Sequence, residues 1–211
     1  MAYISMKDYT KNINKKIVLD HVNLNIEQGG INALVGSNGS GKTMLIRAIS
    51  GLITADSGTA VVDGVRVGNG VFPKSLGLMI ENITMLEYFS AFENLKMLNN
   101  ISTNKVTIQE IRNWLDTFEL DSNDKRPIKK YSLGMRHKVS IIQAFMNKPD
   151  LILLDEPTNS LDENSVQILL NTIRTTNKKY GTTFIIASHD KSCIEDISNH
   201  IFEMRGGKIA Y

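Results

Sequence analysis

Eight consecutive residues near the start of the chain have the types and spacing needed to hold a chain of phosphates. They are Gly36, Ser37, Asn38, Gly39, Ser40, Gly41, Lys42 and Thr43. The glycines let the backbone curl so that its N–H groups converge on one anion, and a helix start directly after them adds its positive end. In this pattern the lysine reaches the β- and γ-phosphates and the threonine hydroxyl ligates Mg²⁺. Because the pattern arises by chance in on the order of 1% of chains this long, we predict a nucleoside triphosphate site.

Two carboxylates follow an apolar run in the second half of the chain. The run, 151–154, has the length of a buried parallel strand, and Asp155 and Glu156 stand at its carboxyl end, where ligands bind in open α/β sheets. Asp155 is placed to hold Mg²⁺, directly or through water, and Glu156 to accept a proton from attacking water. Alone, such a pair more often belongs to a solvated turn. With the phosphate loop upstream, the functional interpretation is favoured.

A serine and a glycine mark a second candidate anion site. Ser132 is a good N-cap for the apolar-periodic stretch that follows, and Gly134 adds a glycine N–H at the same helix start. From these residues alone, a simple capped core helix is the favoured interpretation. From residue type alone, His189 is likewise interpreted as a surface or structural residue.

The spacing of apolar residues predicts the elements that position these groups. The first thirty residues alternate apolar and polar as strands do, and Asp63-Gly64 marks a hairpin turn. The helix after the phosphate loop has four apolar residues on one face, namely Leu45, Ile46, Ile49 and Leu52. We therefore expect an α/β fold with strands on both sides of the loop.

The sequence pattern changes in the middle of the chain, where it predicts helices. Capping boxes place one helix from Thr84 through Leu98 and another from Thr107. The pattern predicts a strand again from Leu151. We therefore expect one nucleotide-binding domain over residues 1–211, interrupted by a helical lobe at about 82–147.

Composition excludes several classes of protein. The chain has 211 residues and a net charge of +2, which argues against nucleic-acid binding driven by bulk charge. The one cysteine, Cys193, excludes an intrachain disulfide framework and a cysteine zinc site. The first eight residues lack the apolar region of a signal peptide, and no apolar run approaches the ~18 residues that cross a bilayer. If the protein works at a membrane, another chain must supply the span.

Five elements in this order resemble the ATP-binding subunits of ABC transporters over the whole chain. They are the phosphate loop, the Ser132–Gly134 segment, the run ending in Asp155-Glu156, the segment 159–162, and the segment 188–190. The segment 131–135, Tyr-Ser-Leu-Gly-Met, is similar to that of bacitracin-resistance, lantibiotic-immunity and related multidrug exporters. The resemblance implies a P-loop NTPase (RecA-like) core with an N-terminal antiparallel β subdomain and a small helical subdomain.

The resemblance also implies roles for individual residues. ATP is held by the phosphate loop together with Met44, while Ser132 and Gly134 form a signature that binds the γ-phosphate held by a second subunit. Asp162 belongs to a loop that joins the two sites. The catalytic residues implied are Glu156 as general base, His189 as the switch that contacts γ-phosphate and water, and Lys42. The Mg²⁺ ligands implied are Thr43, Asp155 and Glu81.

The resemblance further implies partners and a location. An ATP-dependent homodimer acts with an integral-membrane permease, and no nucleic acid is involved. The location is cytoplasmic, peripheral on the inner face of the cell membrane, and export is favoured over import. Two alternatives are a soluble ABC-type ATPase that acts on ribosomes or DNA and a binding-only regulatory module. The second is disfavoured because Lys42, Asp155, Glu156 and His189 are all present.

Several positions depart from the family pattern. Leu133 and Met135 replace a glycine and a glutamine of the usual signature, and Glu81 stands where a glutamine is usual. The family's aromatic residue that stacks on adenine would fall near Ile13, which is not aromatic, and nearby Tyr9 is expected to be a core strand residue. We therefore expect looser recognition of the base.

Overall fold

Strands and helices alternate along the chain in the computed structural model, which describes residues 2–80 and 85–210. The strands are β1 Ile4–Ile13, β2 Lys16–Ile26, β3 Ile31–Val35, β4 Ser57–Val62, β5 Val65–Arg66, β6 Leu76–Met79, β7 Leu151–Asp155, β8 Thr183–Ser188, β9 His200–Arg205 and β10 Lys208–Ala210. The helices are α1 Lys42–Ile49, α2 Ala91–Ile101, α3 Ile108–Thr117, α4 Leu133–Phe145, α5 Glu163–Tyr180 and α6 Ser192–Glu195, with a 3₁₀ turn at Ile128–Lys130. Within the described ranges, none of these helices is long and apolar enough to cross a membrane.

A mostly parallel sheet carries the candidate site. Its strand order is β10-β9-β3-β8-β7-β6, and only the β9–β10 pair is antiparallel. Strands β3, β7 and β8 are buried along their whole length. This explains their continuous apolar sequences, because a parallel strand is covered on both faces. The phosphate loop and the Asp155-Glu156 pair therefore leave the same edge of the sheet, side by side with the end of β8.

A smaller antiparallel sheet packs over one face of the first. Its order is β2-β1-β4-β5. Helix α1 lies between the two sheets, and its Leu45, Ile46 and Ile49 share one apolar core with Leu19 of β2 and Leu153 of β7. The predicted turn is present, since β4 and β5 pair at Val62↔Val65 around two positive-φ residues, as a tight hairpin requires.

The opposite face of the central sheet is covered by helices, among them α2, α3 and α4. Alternate residues of β7 point to it, such as Ile152 and Leu154, and they pack with Leu95 of α2, Ile111 of α3 and Ile142 of α4 in a second core. Helices α2, α3 and α4 all lie between β6 and β7 in the chain. The mixed α/β class predicted from the sequence is confirmed.

The prediction of a helix from Thr84 through Leu98 is wrong about where the helix starts. Thr84 lies outside the described residues, and α2 begins only at Ala91, with Ser90 as N-cap. A second capping box decides the boundary, because the Ser90 hydroxyl accepts from Glu93 N while Glu93 Oε2 accepts from Ser90 N. At the other predicted box, Thr107 is the N-cap of α3 as expected.

A second departure concerns the helix after the phosphate loop. Helix α1 ends at Ile49, so Leu52 lies beyond it and is 46% exposed. Gly51, with a φ of +82°, is in the left-handed region, which ends the helix before Leu52 can join its apolar face.

Asn94 holds the segment before α2 in its non-helical path. Its amide oxygen accepts from Leu86 N at 2.8 Å, and its amide nitrogen donates to the carbonyls of Leu86, Phe89 and Ser90. We expect Asn94→Ala to lower the free energy of unfolding by about 2–3 kcal/mol, because several buried backbone groups lose their partner. Urea denaturation measures this change. Asn113→Ala, on the exposed face of α3, is the matched control and should change stability by less than about 0.5 kcal/mol.

Candidate functional site

Close contacts behind the phosphate loop explain its glycines. Gly41 is the N-cap residue of α1 and has a φ of +112°. A Cβ at this position would lie 2.8 Å from Met204 Cε and 3.0 Å from Val18 O. Gly39 is also in the left-handed region, with a φ of +78°. A side chain at residue 41 would therefore strain the backbone and push the loop away from its support.

The support is the turn between β9 and β10. Gly207 N donates to Ser40 O at 2.8 Å, and Gly207 O accepts from Asp20 N at 2.9 Å. A Cβ on Gly207 would lie 2.9 Å from Val18 O. Sequence reasoning missed this contribution, because a Gly-Gly pair in a terminal hairpin carries no signal that it lies under a loop 167 positions earlier.

Lys42 lies inside the concavity of the loop. Its side chain is 5% exposed, and Nζ donates to Gly36 O at 2.7 Å and to Ser37 O at 3.3 Å. The same ammonium lies 3.3 Å from Glu156 Oε1. A buried cation is thus held against the glycine loop, where it can pair with a bound phosphate chain.

The two predicted Mg²⁺ ligands Thr43 and Asp155 are brought together from different elements. Thr43 Oγ1 donates to Asp155 Oδ2 at 2.7 Å, and Asp155 is 1% exposed. A hydroxyl and a carboxylate oxygen at this separation fit Mg²⁺, which binds oxygen ligands and completes its shell with phosphate and water. Glu81, the third predicted ligand, lies outside the described residues.

Glu156 is held in an uncommon backbone conformation that aims its carboxylate at the loop. Its φ is +50°, and Glu156 N donates to Ala187 O at 2.8 Å. Oε2 accepts from His189 N at 3.2 Å and lies 2.8 Å from His189 Nδ1. The carboxylate therefore lies between the ammonium of Lys42 and the imidazole of His189. A non-glycine residue with positive φ costs free energy, and such strain is typical of functional positions.

A cavity of about 630 Å³ joins these groups, within the usual size range of ligand pockets. Its described lining residues are Lys16, Ile17, Val18, Asn38, Gly39, Gly41, Lys42, Thr43, Met44, Glu156, Asn159, His189, Gly206 and Gly207. The predicted phosphate loop, Met44, Glu156 and His189 meet here. Lys16, Ile17, Val18, Asn159 and the two C-terminal glycines were not predicted.

Similarity to known proteins decides the family. The family model described as "ABC transporter" matches residues 19–159. The chain is 41% identical to the uncharacterized ABC transporter ATP-binding protein YybJ of Bacillus subtilis, over 98% of this chain and 94% of that protein. It is 33% identical to the lantibiotic transport ATP-binding protein SrtF of Streptococcus pyogenes, over 98% of this chain and 88% of that one.

The chain belongs to the ABC transporter family. It is an ATP-binding protein and an ATPase of that family. Its fold matches the ATP-binding cassette MJ0796, solved as a dimer bound to ADP and Pi, with a TM-score of 0.88 and 22% identity, over 99% of this chain and 97% of that one. The resemblance to ATP-binding subunits of ABC transporters, inferred from the sequence, is confirmed.

The segment 132–134 is not part of the described lining of the cavity. Ser132 is the N-cap of α4 and accepts from Met135 N at 3.2 Å, as predicted. A Cβ on Gly134 would lie 2.8 Å from Ser160 O, so this helix start rests against the loop that follows Glu156. Neither Ser132 nor Gly134 is among the described residues that line the cavity. Leu133, which replaces the usual glycine, is 62% exposed.

Asp162 has a structural contact in the described part of the chain. Its carboxylate accepts from Ser165 N at 2.7 Å and caps α5. This backbone hydrogen bond holds the pKa of Asp162 below its usual value. Asp162 is not among the described lining residues of the cavity.

Tyr9 is a core residue, as predicted. It is 2% exposed, and its hydroxyl donates to Ile53 O at 3.1 Å. Burial raises the pKa of Tyr9 to about 12. Ile13 is 37% exposed but is not among the described residues that line the cavity. Tyr9 is therefore excluded as the platform for a nucleotide base.

Proposed function

We propose that this protein is the ATP-binding and hydrolysing subunit that powers export of a substrate through a separate membrane permease. The observation that carries the proposal is the position of Glu156, whose carboxylate is shared by Lys42 and His189 at the mouth of the phosphate loop. Residues 36–44 hold the triphosphate, and Thr43 and Asp155 hold Mg²⁺. A bound Mg²⁺ would supply positive charge that offsets the negative charge of the phosphates.

The arrangement assigns a task to each side chain. The γ-phosphate takes the place of Glu156 Oε1 and of the Gly36 and Ser37 carbonyls as partner of Lys42 Nζ. This frees one oxygen of Glu156, which then accepts a proton from the attacking water. His189 keeps the other oxygen oriented through its backbone N–H and Nδ1, and its ring lies at the cavity, where it reaches the γ-phosphate.

A second copy of the chain supplies the signature. Ser132 and Gly134 lie outside the cavity of their own subunit, and the start of α4 is exposed at Ser132 and Leu133. A helix start with a serine and a glycine N–H is suited to bind a phosphate from outside. We propose an ATP-dependent homodimer in which each site pairs the phosphate loop of one copy with the signature of the other, with Asp162 in the loop that joins the sites.

Mixing two inactive variants tests the dimer. Lys42→Ala and Ser132→Arg chains are each expected to be inactive, while their mixture should regain part of the ATPase rate. In a mixed pair one site carries both defects and the other carries neither. The measurement is phosphate release over a range of mixing ratios. Lys42→Ala mixed with Lys42→Ala,Ser132→Arg is the control and should stay inactive. Full activity of Ser132→Arg as a purified monomer contradicts the two-subunit mechanism.

We propose that the permease binds a surface formed by Leu86, Tyr88 and Phe89. Leu86, Tyr88 and Phe89 are 51%, 77% and 39% exposed, and the Lys129 ammonium lies 4.1 Å from the centre of the Tyr88 ring. Large exposed apolar side chains that cluster in one segment mark an interaction surface. In this proposal residues 1–211 form one domain, the lobe at about 82–147 carries this surface, and the protein lies on the inner face of the cell membrane.

Co-purification tests the transport role against the alternative of a soluble ABC-type ATPase without a transport role. An affinity-tagged chain, expressed in its native cells and extracted in mild detergent, should retain a polytopic membrane protein. A Leu86→Asp,Tyr88→Asp variant should lose that protein and keep its ATP affinity. Retention of ribosomal proteins or DNA in place of a membrane protein favours the alternative.

A further inference from the structure

The cavity extends from the phosphate loop to the turn between β1 and β2. Val18 O lies against Gly41 at the loop. Ile17 and Lys16 continue along β2 toward its first residue, and both line the cavity. Because a strand rises about 3.3 Å per residue, Lys16 is displaced from Val18 by roughly 7 Å. With the triphosphate on residues 36–43, this far end is where the ribose and base of the nucleotide lie.

The far end offers an apolar surface and no large aromatic ring. Ile17 is 49% exposed and is the large apolar side chain there. Apart from the imidazole of His189 at the other end, no aromatic side chain is among the described lining residues. Ile17 can cover one face of a purine, but this contact does not distinguish one purine from another.

Lys16 is the group at this end that can distinguish purines. Its side chain is exposed, and within residues 2–80 and 85–210 no carboxylate pairs with it. Its neighbour Lys15 sits in the turn, with a φ of +63°, and is not among the described lining residues. A single ammonium donor therefore stands at the base end of the cavity with no competing partner in the described part of the chain.

The chemistry of purine edges then sets a preference. Guanine presents two neighbouring acceptors, O6 and N7, to a lysine ammonium, whereas adenine presents the N7 acceptor beside an N6 amino donor. Three ammonium protons and no acceptor make lysine a match for the first pattern and a poor match for the second.

We propose that the Lys16 ammonium donates to O6 and N7 of guanine, while Ile17 covers the ring. This subunit therefore binds guanine nucleotides more tightly than adenine nucleotides. This inference rests on the proposed function, because it takes the triphosphate to lie on the phosphate loop. It makes GTP a substrate of the same site beside ATP, with a three- to tenfold preference.

Binding of ATP, GTP and inosine triphosphate to the full chain tests the inference. Inosine triphosphate has the O6 and N7 acceptors of guanine but lacks its two-amino group, so it isolates the edge that Lys16 contacts. Dissociation constants are measured by calorimetry with Mg²⁺ at low temperature, where turnover is slow. GTP and inosine triphosphate should bind alike and three- to tenfold more tightly than ATP.

Two matched variants complete the experiment. Lys16→Met keeps the aliphatic stem and should remove the preference, so that GTP and inosine triphosphate bind no more tightly than ATP. Lys15→Met, the control in the same turn, should change none of the three. Circular dichroism verifies that both variants are folded.

The outcomes separate this inference from the proposed function. Equal binding of all three nucleotides by the wild type, or a guanine preference that persists in Lys16→Met, overturns the role of Lys16 and leaves the phosphate loop assignment intact. Failure of the wild type to bind any triphosphate overturns both.

Discussion

Glu156→Gln should slow ATP hydrolysis by ~10²–10⁴-fold and leave ATP binding intact, the usual contribution of a general base. Glutamine keeps the shape of the side chain and one oxygen that can accept from His189, but it cannot take a proton from water. Phosphate release at saturating ATP and Mg²⁺ measures the loss, and calorimetry measures the ATP affinity.

The same variant should trap a dimer. Without hydrolysis, ATP stays between the two copies, so gel filtration with ATP should show a dimer that the wild type does not accumulate. Glu195→Gln is the control, because Glu195 is 52% exposed, pairs with Lys191 at the start of α6, and is not among the described lining residues of the cavity. Wild-type turnover in Glu156→Gln would show that another residue activates water.

Lys42→Ala should abolish tight triphosphate binding, with a loss on the order of 10²-fold or more. Hydrogen bonds to charged groups contribute roughly 1.5–3 kcal/mol each, and 1.4 kcal/mol corresponds to tenfold in affinity. The side chain is 5% exposed, so little water screens its charge. Titration calorimetry with a non-hydrolysable ATP analogue in the presence of Mg²⁺ measures the change.

Removal of Lys42 also leaves Glu156 without its cationic neighbour, so folding must be checked by thermal denaturation. Lys191→Ala removes a lysine whose side chain is 55% exposed and serves as the control for loss of a positive charge. Unchanged ATP affinity in Lys42→Ala would remove the assignment of residues 36–43 as the phosphate loop.

The parts of the site that could be predicted are those that depend on short-range sequence patterns. The loop before α1, the carboxylates after β7 and the Ser132 cap each depend on residues within one strand–turn–helix unit, where spacing reports geometry directly. The start of α2 was mispredicted for a related reason. Two capping boxes stand six residues apart, and the buried amide of Asn94, which fixes the chain before Ser90, is a tertiary contact that spacing does not show.

Long-range contacts account for what the sequence did not predict. Lys16 and Ile17 reach the cavity because β2 runs past Gly41, and Gly207 reaches it because β9 pairs with β3. These residues have no local motif. Tyr9 shows the opposite case, because its place in an alternating strand was enough to predict a core residue.

The bond from Gly207 to Ser40 has a consequence for biosynthesis. The phosphate loop is translated well before strand β9, which lies beside β3 in the sheet, and before the turn that supports the loop. A nascent chain therefore lacks both the backing of the loop and one neighbour of the strand that carries it until about residue 207 has emerged. We therefore expect a chain that stops before strand β9 to bind nucleotide weakly, because its phosphate loop lacks this backing.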